Sequence, residues 1–171
     1  MNLAVIDTAV FVAGVFWRHE PHRCLKAWLR GRMTPVMTEE ILAEYEAALE
    51  QARQEQHFTT DTALWMNTLR TSALWVTPVP FQDEVCRDPK DNKFVEAALG
   101  EQECYTIIAR DRGLTVSEKP FGIDLYTPRE WLIQQQSARI NPPARRPGSS
   151  PSLPATEDSP TGVNGILSES K

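Results

Sequence analysis

Short apolar runs with the composition of buried strands alternate with helical periodicities along residues 1–136. Leu3 to Ile6 reads as a buried strand, and a helix from about Pro21 to Arg30 follows it. Thr34 to Met37 reads as a second strand; Thr38 behind it is a good N-cap for a helix from Glu39 to about Gln54. That helix carries an apolar stripe through Ile41, Leu42, Tyr45, Ala48, Leu49 and Ala52. A helix over about Asp61 to Ser72 comes next, then a strand from Leu74 to Val79, a short helix after Asp91, and strands Tyr105 to Ala109 and Ile123 to Tyr126. Behind the last strand, Thr127-Pro128-Arg129-Glu130 combines an N-cap threonine, proline at the first helical position and a capping-box glutamate. The alternation predicts an α/β fold with a parallel sheet covered by helices on both faces. In such sheets ligands bind beyond the carboxyl ends of the strands.

The acids change the picture, because several fall at those ends. Asp7 follows directly on LAVI, and Asp111 follows almost directly on YTIIA. On the helix ILAEYEAALEQA, Glu44 borders the apolar stripe, about 90° from its centre, whereas Glu39, Glu40, Glu46 and Glu50 point further towards water. Asp91 shares a helical face with Phe94, Val95 and Ala98, so a carboxylate lies along an apolar stripe. Singly, each has an ordinary explanation: a turn residue for Asp7 or Asp111, a snorkelling edge residue for Glu44, a dipole-stabilised N-terminal carboxylate for Asp91. Together, four carboxylates converging on one crevice repel one another unless a cation neutralises them. An all-oxygen set suits Mg²⁺ or Mn²⁺, and one or two such ions would activate a water and stabilise charge on a phosphodiester.

Composition bounds the rest. A chain of 171 residues, 41% hydrophobic, has enough material for one domain with a proper core. The expected division is a domain over 1–136 and a disordered tail over 137–171, which holds many Pro, Ser, Thr and Gly and few large apolar residues. Ala144-Arg145-Arg146-Pro147 is a small basic patch in it. No run of about 18 or more apolar residues and no export signal is visible, so a cytoplasmic protein with no membrane partner is expected. Cys24, Cys86 and Cys104 are widely spaced and suggest neither disulfides nor a zinc site. A formal charge of -5 excludes nucleic-acid binding by bulk positive charge alone.

The set VIDTAVFVAG, MTEEILAEYEAAL, CRDPKDNKFVEAAL, YTIIARDRGL and IDLYTPREWL, in this order, resembles the PIN domain family, in the branch of toxin components of bacterial toxin-antitoxin pairs. The resemblance runs from about residue 2 to 133. It implies a Rossmann-like sheet and a metal-dependent ribonuclease, usually endonucleolytic on single-stranded RNA, with an antitoxin protein as a partner and homodimers common. The family's acidic quartet falls on Asp7, Glu44, Asp91 and Asp111. By the resemblance Asp7, Asp91 and Asp111 are the nearer metal ligands, and Glu44 binds a second ion or orients the attacking water.

This chain departs from the family at two places. Ala9 stands where an asparagine is usual, and Arg110 where a glycine often precedes the fourth acid. Arg110 would either crowd the site or contact a substrate phosphate. Thr8 would support the metal cluster through its hydroxyl or cap a turn. Lys90, Lys93, Arg110 and Arg112 neighbour the acids and either position phosphates or form an ordinary solvated face. His19 and His22 lack a third ligand and decorate a helix entrance. Trp17, in VFWRHEP, either stacks on a base or packs into the core. The alternative function is a PIN-like module with weakened catalysis that binds RNA or protein, hinted at by Ala9 and the long tail.

Overall fold

A computed structural model describes residues 2–82, 85–110, 112–115 and 119–140. The expected tail therefore falls mostly outside the described residues, as does Asp111. In chain order the elements are β1 (Leu3–Ile6), α1 (Thr8–Phe16), α2 (Glu20–Leu29), β2 (Thr34–Met37), α3 (Glu39–Gln56), α4 (Ala63–Ser72), β3 (Leu74–Trp75), a 3₁₀ turn (Pro89–Asp91), α5 (Asn92–Leu99), β4 (Thr106–Ile108), β5 (Asp124–Tyr126) and α6 (Pro128–Ile140). Further 3₁₀ turns occur at Arg112–Leu114 and Pro120–Gly122.

The strands form one sheet in the order β3-β2-β1-β4-β5, with every pairing parallel. Chain order reverses beside β1, the switch point of doubly wound sheets. Successive strand residues point to opposite faces, yet Ala4, Val5 and Ile6 are all buried, so helices cover β1 on both sides. This is the expected α/β architecture: among the described residues, a five-stranded parallel sheet flanked by six helices.

Local chemistry explains the boundaries. Thr38 accepts from the Ile41 amide at 3.3 Å and starts α3. Thr127 and Glu130 exchange the two capping-box bonds that start α6, at 2.9 and 3.3 Å. That helix runs through residue 137, the expected boundary of the tail, to Ile140. The predicted strand from Leu74 to Val79 pairs only over Leu74–Trp75. Pro78 and Pro80 bring no amide to a ladder, and the Val79 amide turns away to bond Glu96 O at the end of α5.

The largest difference from expectation is α1, which the sequence pattern does not announce. Val10, Phe11, Gly14 and Val15 form its buried face, while Val12, Ala13 and Phe16 leave the other side apolar as well. Helical periodicity is erased when both faces are apolar. His22 Nδ1 lies 2.7 Å from Gly14 O and ties α2 to α1, so this histidine serves packing.

The segment after β3 crosses α5 closely at Gly100. A Cβ there would lie 2.5 Å from Thr77 O, a backbone atom that cannot swing aside. Gly100→Ala is expected to cost about 1–3 kcal/mol, the usual range for overpacking. Thermal denaturation should show a fall of roughly 5 °C; an unchanged midpoint would refute the close approach.

Candidate active site

Asp7 is at once the residue after β1 and the N-cap of α1. Its amide continues the β1–β4 ladder by donating to Ile108 O at 2.9 Å, and its carbonyl accepts from the Phe11 amide at 2.9 Å. The main chain is thus pinned on both sides, but the carboxylate makes no cap bond. One oxygen receives a long contact from the Arg110 amide, 3.4 Å. Below it, Tyr45 donates its hydroxyl to Ile6 O and stacks on Phe11, centroids 4.1 Å apart. Both rings are fully buried, so they form a strut under the strand end.

Asp91 closes the 3₁₀ turn and N-caps α5, again without a side-chain cap bond. Capping of the turn falls to Asp88, which accepts from the Lys90 amide at 3.0 Å. Phe94, Val95 and Ala98 behind Asp91 are buried as the helical face requires. Next to it, the buried amide oxygen of Asn92 has no hydrogen-bond partner.

Glu44 is half-buried on α3 and already engaged. Its Oε1 accepts from Thr8 Oγ1 at 2.5 Å, and its Oε2 lies 2.8 Å from Lys93 Nζ. Lys93 therefore does not face solvent; it is buried against an acid from another element. Arg110 and Ala9 are exposed beside Asp7. Asp111 and the side chain of Arg112 lie outside the described residues.

Electrostatics couple the acids. Burial pushes the Asp7 carboxyl above its usual value, and the charges of Asp91 and Glu44 push the same way, while the Arg110 and Ala9 amides oppose them. Asp91 is also raised, first by burial, then by Asp88 and Glu44, against the pull of Lys93. Burial and the nearby Asp7 and Glu44 charges push the Tyr45 phenol far up, so it stays a neutral donor.

Asp7 and Glu44 line a cleft of about 930 Å³, and Asp91 is coupled to Asp7 by charge from outside that lining. The cleft wall holds Asp7, Thr8, Glu44 and Arg110, then an apolar stretch of Val12, Ala13, Pro21 and Ala48, with Trp17 and Arg129 at its sides. Trp17 is 41% exposed and meets Phe58 edge-on at 5.2 Å, so it is a rim residue braced from behind. Sequence reasoning missed Arg129 and the apolar wall. Arg129 follows closely on the carboxyl end of β5, and that placement alone was the available signal.

Along residues 4–113 the chain matches the PIN domain. This chain belongs to the PIN domain family. No curated protein and no solved structure matches it. PIN domains are typically nucleases and generally use divalent metals. Among the described residues, no three His, Cys, Asp or Glu side chains group closely enough to hold a metal unaided. Mg²⁺ does not demand three, because it keeps several waters and takes one or two carboxylates. The uncapped Asp7 and Asp91 carboxylates are hard oxygen donors of that kind, Asn92 beside Asp91 in the chain carries a further unpartnered oxygen, and this PIN domain fits such an ion. The three cysteines of the PIN domain are buried thiols, pushed by burial up to about 12 for Cys24 and about 11 for Cys86 and Cys104, and offer no reactive thiolate. Among the described residues no helix is long and apolar enough to cross a membrane.

Proposed function

We propose that this PIN domain hydrolyses phosphodiester bonds within single-stranded RNA, using Mg²⁺ or Mn²⁺, as the toxin component of a toxin-antitoxin pair. The observation that carries the reading is the cleft itself, in which the uncapped Asp7 carboxylate at a strand end adjoins an apolar wall with an exposed tryptophan at its rim. Asp7 and Asp91 would hold the ion, together with Asp111. A divalent ion held there supplies charge to the phosphodiester and makes a water acidic enough to attack at neutral pH.

The chain's own residues do the rest. Asp7 is held by the β1–β4 ladder and the Tyr45–Phe11 strut, so its carboxylate is presented to the cleft without rearrangement. Arg110 and Arg129 offer cations to phosphates flanking the scissile bond. Val12, Ala13 and Pro21 provide an apolar surface for base faces, and Trp17 a stacking partner, which favours an unpaired strand over a duplex. An antitoxin protein would restrain the enzyme by filling this same acidic crevice, and two copies would associate as a homodimer.

The test is cleavage of an end-labelled single-stranded RNA by the full chain with Mg²⁺, Mn²⁺ or EDTA, beside Asp91→Asn. Cleavage that requires metal and disappears in the variant is expected. Metal-independent cleavage would refute the metal-dependent reading, and equal inertness of both proteins with a bound ion would transfer the fold to the interaction-module reading.

A further inference from the structure

Lys93 is placed unlike an ordinary lysine. Its side chain is 9% exposed, whereas lysine normally carries its ammonium out to water on a flexible stem. Nζ lies 2.8 Å from Glu44 Oε2, donates to the carbonyl oxygen of Lys90, and stands 5.2 Å from the centre of the Phe94 ring. The charge is thus enclosed by a carboxylate, a carbonyl and a ring face, each of which stabilises a cation.

The consequence falls on Glu44. With Thr8 on one oxygen and Lys93 on the other, this carboxylate is fixed in orientation and its charge is already met. Asp7 and Asp91 have no such partner cation at contact distance among the described residues. A divalent ion approaching Glu44 would have to displace the ammonium or sit beside it, and like charges at such separations repel strongly in a partly dry site. An ion approaching Asp7 and Asp91 meets carboxylates that no cation contacts, with the Lys93 charge felt at Asp91 only from a distance. The two halves of the acidic cluster are therefore inequivalent towards a cation.

We propose that the Lys93 ammonium occupies the place of a second divalent cation, so that the centre takes one metal ion, at Asp7 and Asp91, with Glu44 as an anchored carboxylate. Lys93 is then a positioning residue: it holds Glu44, and through Glu44 the Thr8 hydroxyl at the start of α1. The inference rests on the metal-dependent reading above and adds the ion count, together with the residue that sets it.

Isothermal titration of the full chain with Mn²⁺ measures that count directly, with circular dichroism melts confirming that each variant is folded. The unaltered chain is expected to take one ion, and Lys93→Met a second one that is lost again in Lys93→Met/Glu44→Gln. Lys93→Arg keeps the cation and should stay at one ion. Glu44→Gln in an otherwise unaltered chain should also stay at one ion, bound more weakly because a charge coupled to Asp7 and Asp91 is lost and the Lys93 ammonium is left unpaired; this arm stands even if Lys93→Met does not fold. Two ions in the unaltered chain overturn the proposal and leave metal dependence intact, and uptake of no ion removes both. A single ion in folded Lys93→Met, or complete loss of ion uptake in folded Glu44→Gln, also overturns it.

Discussion

Asp7→Asn is expected to make the metal-free protein melt at a higher temperature and, in the same stroke, to abolish the proposed cleavage of RNA. Burial, reinforced by the Asp91 and Glu44 charges, raises the Asp7 carboxyl above its ordinary value of 3.8 in the folded chain. A raised carboxyl binds its proton more tightly folded than unfolded, so its contribution to stability falls as pH rises from 3.8 through the higher folded value. Above that window the charged group works against the fold. Asparagine has nearly the same shape and no charge, and should raise the midpoint by roughly 2–5 °C at neutral pH in EDTA, typical of relieving one such conflict. The gap should close as the pH is brought down towards 3.8. Adding Mg²⁺ should then raise the unaltered protein, by about 2.7 kcal/mol at a hundred times its dissociation constant, and leave the variant unmoved. Loss of the ion removes several kcal/mol of transition-state stabilisation, or about a thousandfold in rate. A variant that melts lower than the unaltered protein in EDTA would show that Asp7 is an ordinary structural turn residue.

Phe11→Ala should be the most damaging of the single substitutions considered. The ring is fully buried and stacked at 4.1 Å and 11° on Tyr45, whose hydroxyl supports Ile6 O one residue before Asp7. Removing a buried phenylalanine costs about 3–5 kcal/mol. For a domain of this size that corresponds to a midpoint lowered by roughly 10 °C or more. Cleavage should also suffer at temperatures where the variant is still folded, because the void lets Tyr45 tilt and the Asp7 carboxylate wander. Single-turnover assays well below the midpoint separate the two effects. Full activity there would mean that Asp7 is held by the β1–β4 ladder alone.

What could be read from the sequence follows from how local each determinant is. β1 and β2 lie where the apolar runs LAVI and TPVM place them, because polar residues that also cap helices, Asp7 and Thr38, close them. α6 begins at its capping box for the same reason. α1 was invisible because its outer face, Val12 and Ala13, is the apolar wall of the cleft, so function removed the polar side that periodicity needs. Trp17 reads first as a core residue in the sequence, and only the tertiary arrangement sets it on the rim. Lys93 sits beside Asp91 in a run that resembles a solvated face; its partner Glu44 lies on α3, 49 residues away, and no local pattern encodes such a pairing. Arg129 needed the sheet order as well as the motif, since it reaches the cleft from the strand at the far edge.

The borders of the sheet limit how copies of this chain can meet. β3 pairs over two residues before Pro78 and Pro80 interrupt it, and β5 at the opposite border is three residues long. Strand borders this short give an incoming strand almost no row of amides and carbonyls to add to, and prolines beside one of them discourage extension. Self-association by joining two sheets into one is thereby disfavoured, along with the fibrous aggregation that the same geometry invites. Two chains that pair should do so through helix surfaces, which leaves both crevices open at the ends of their strands.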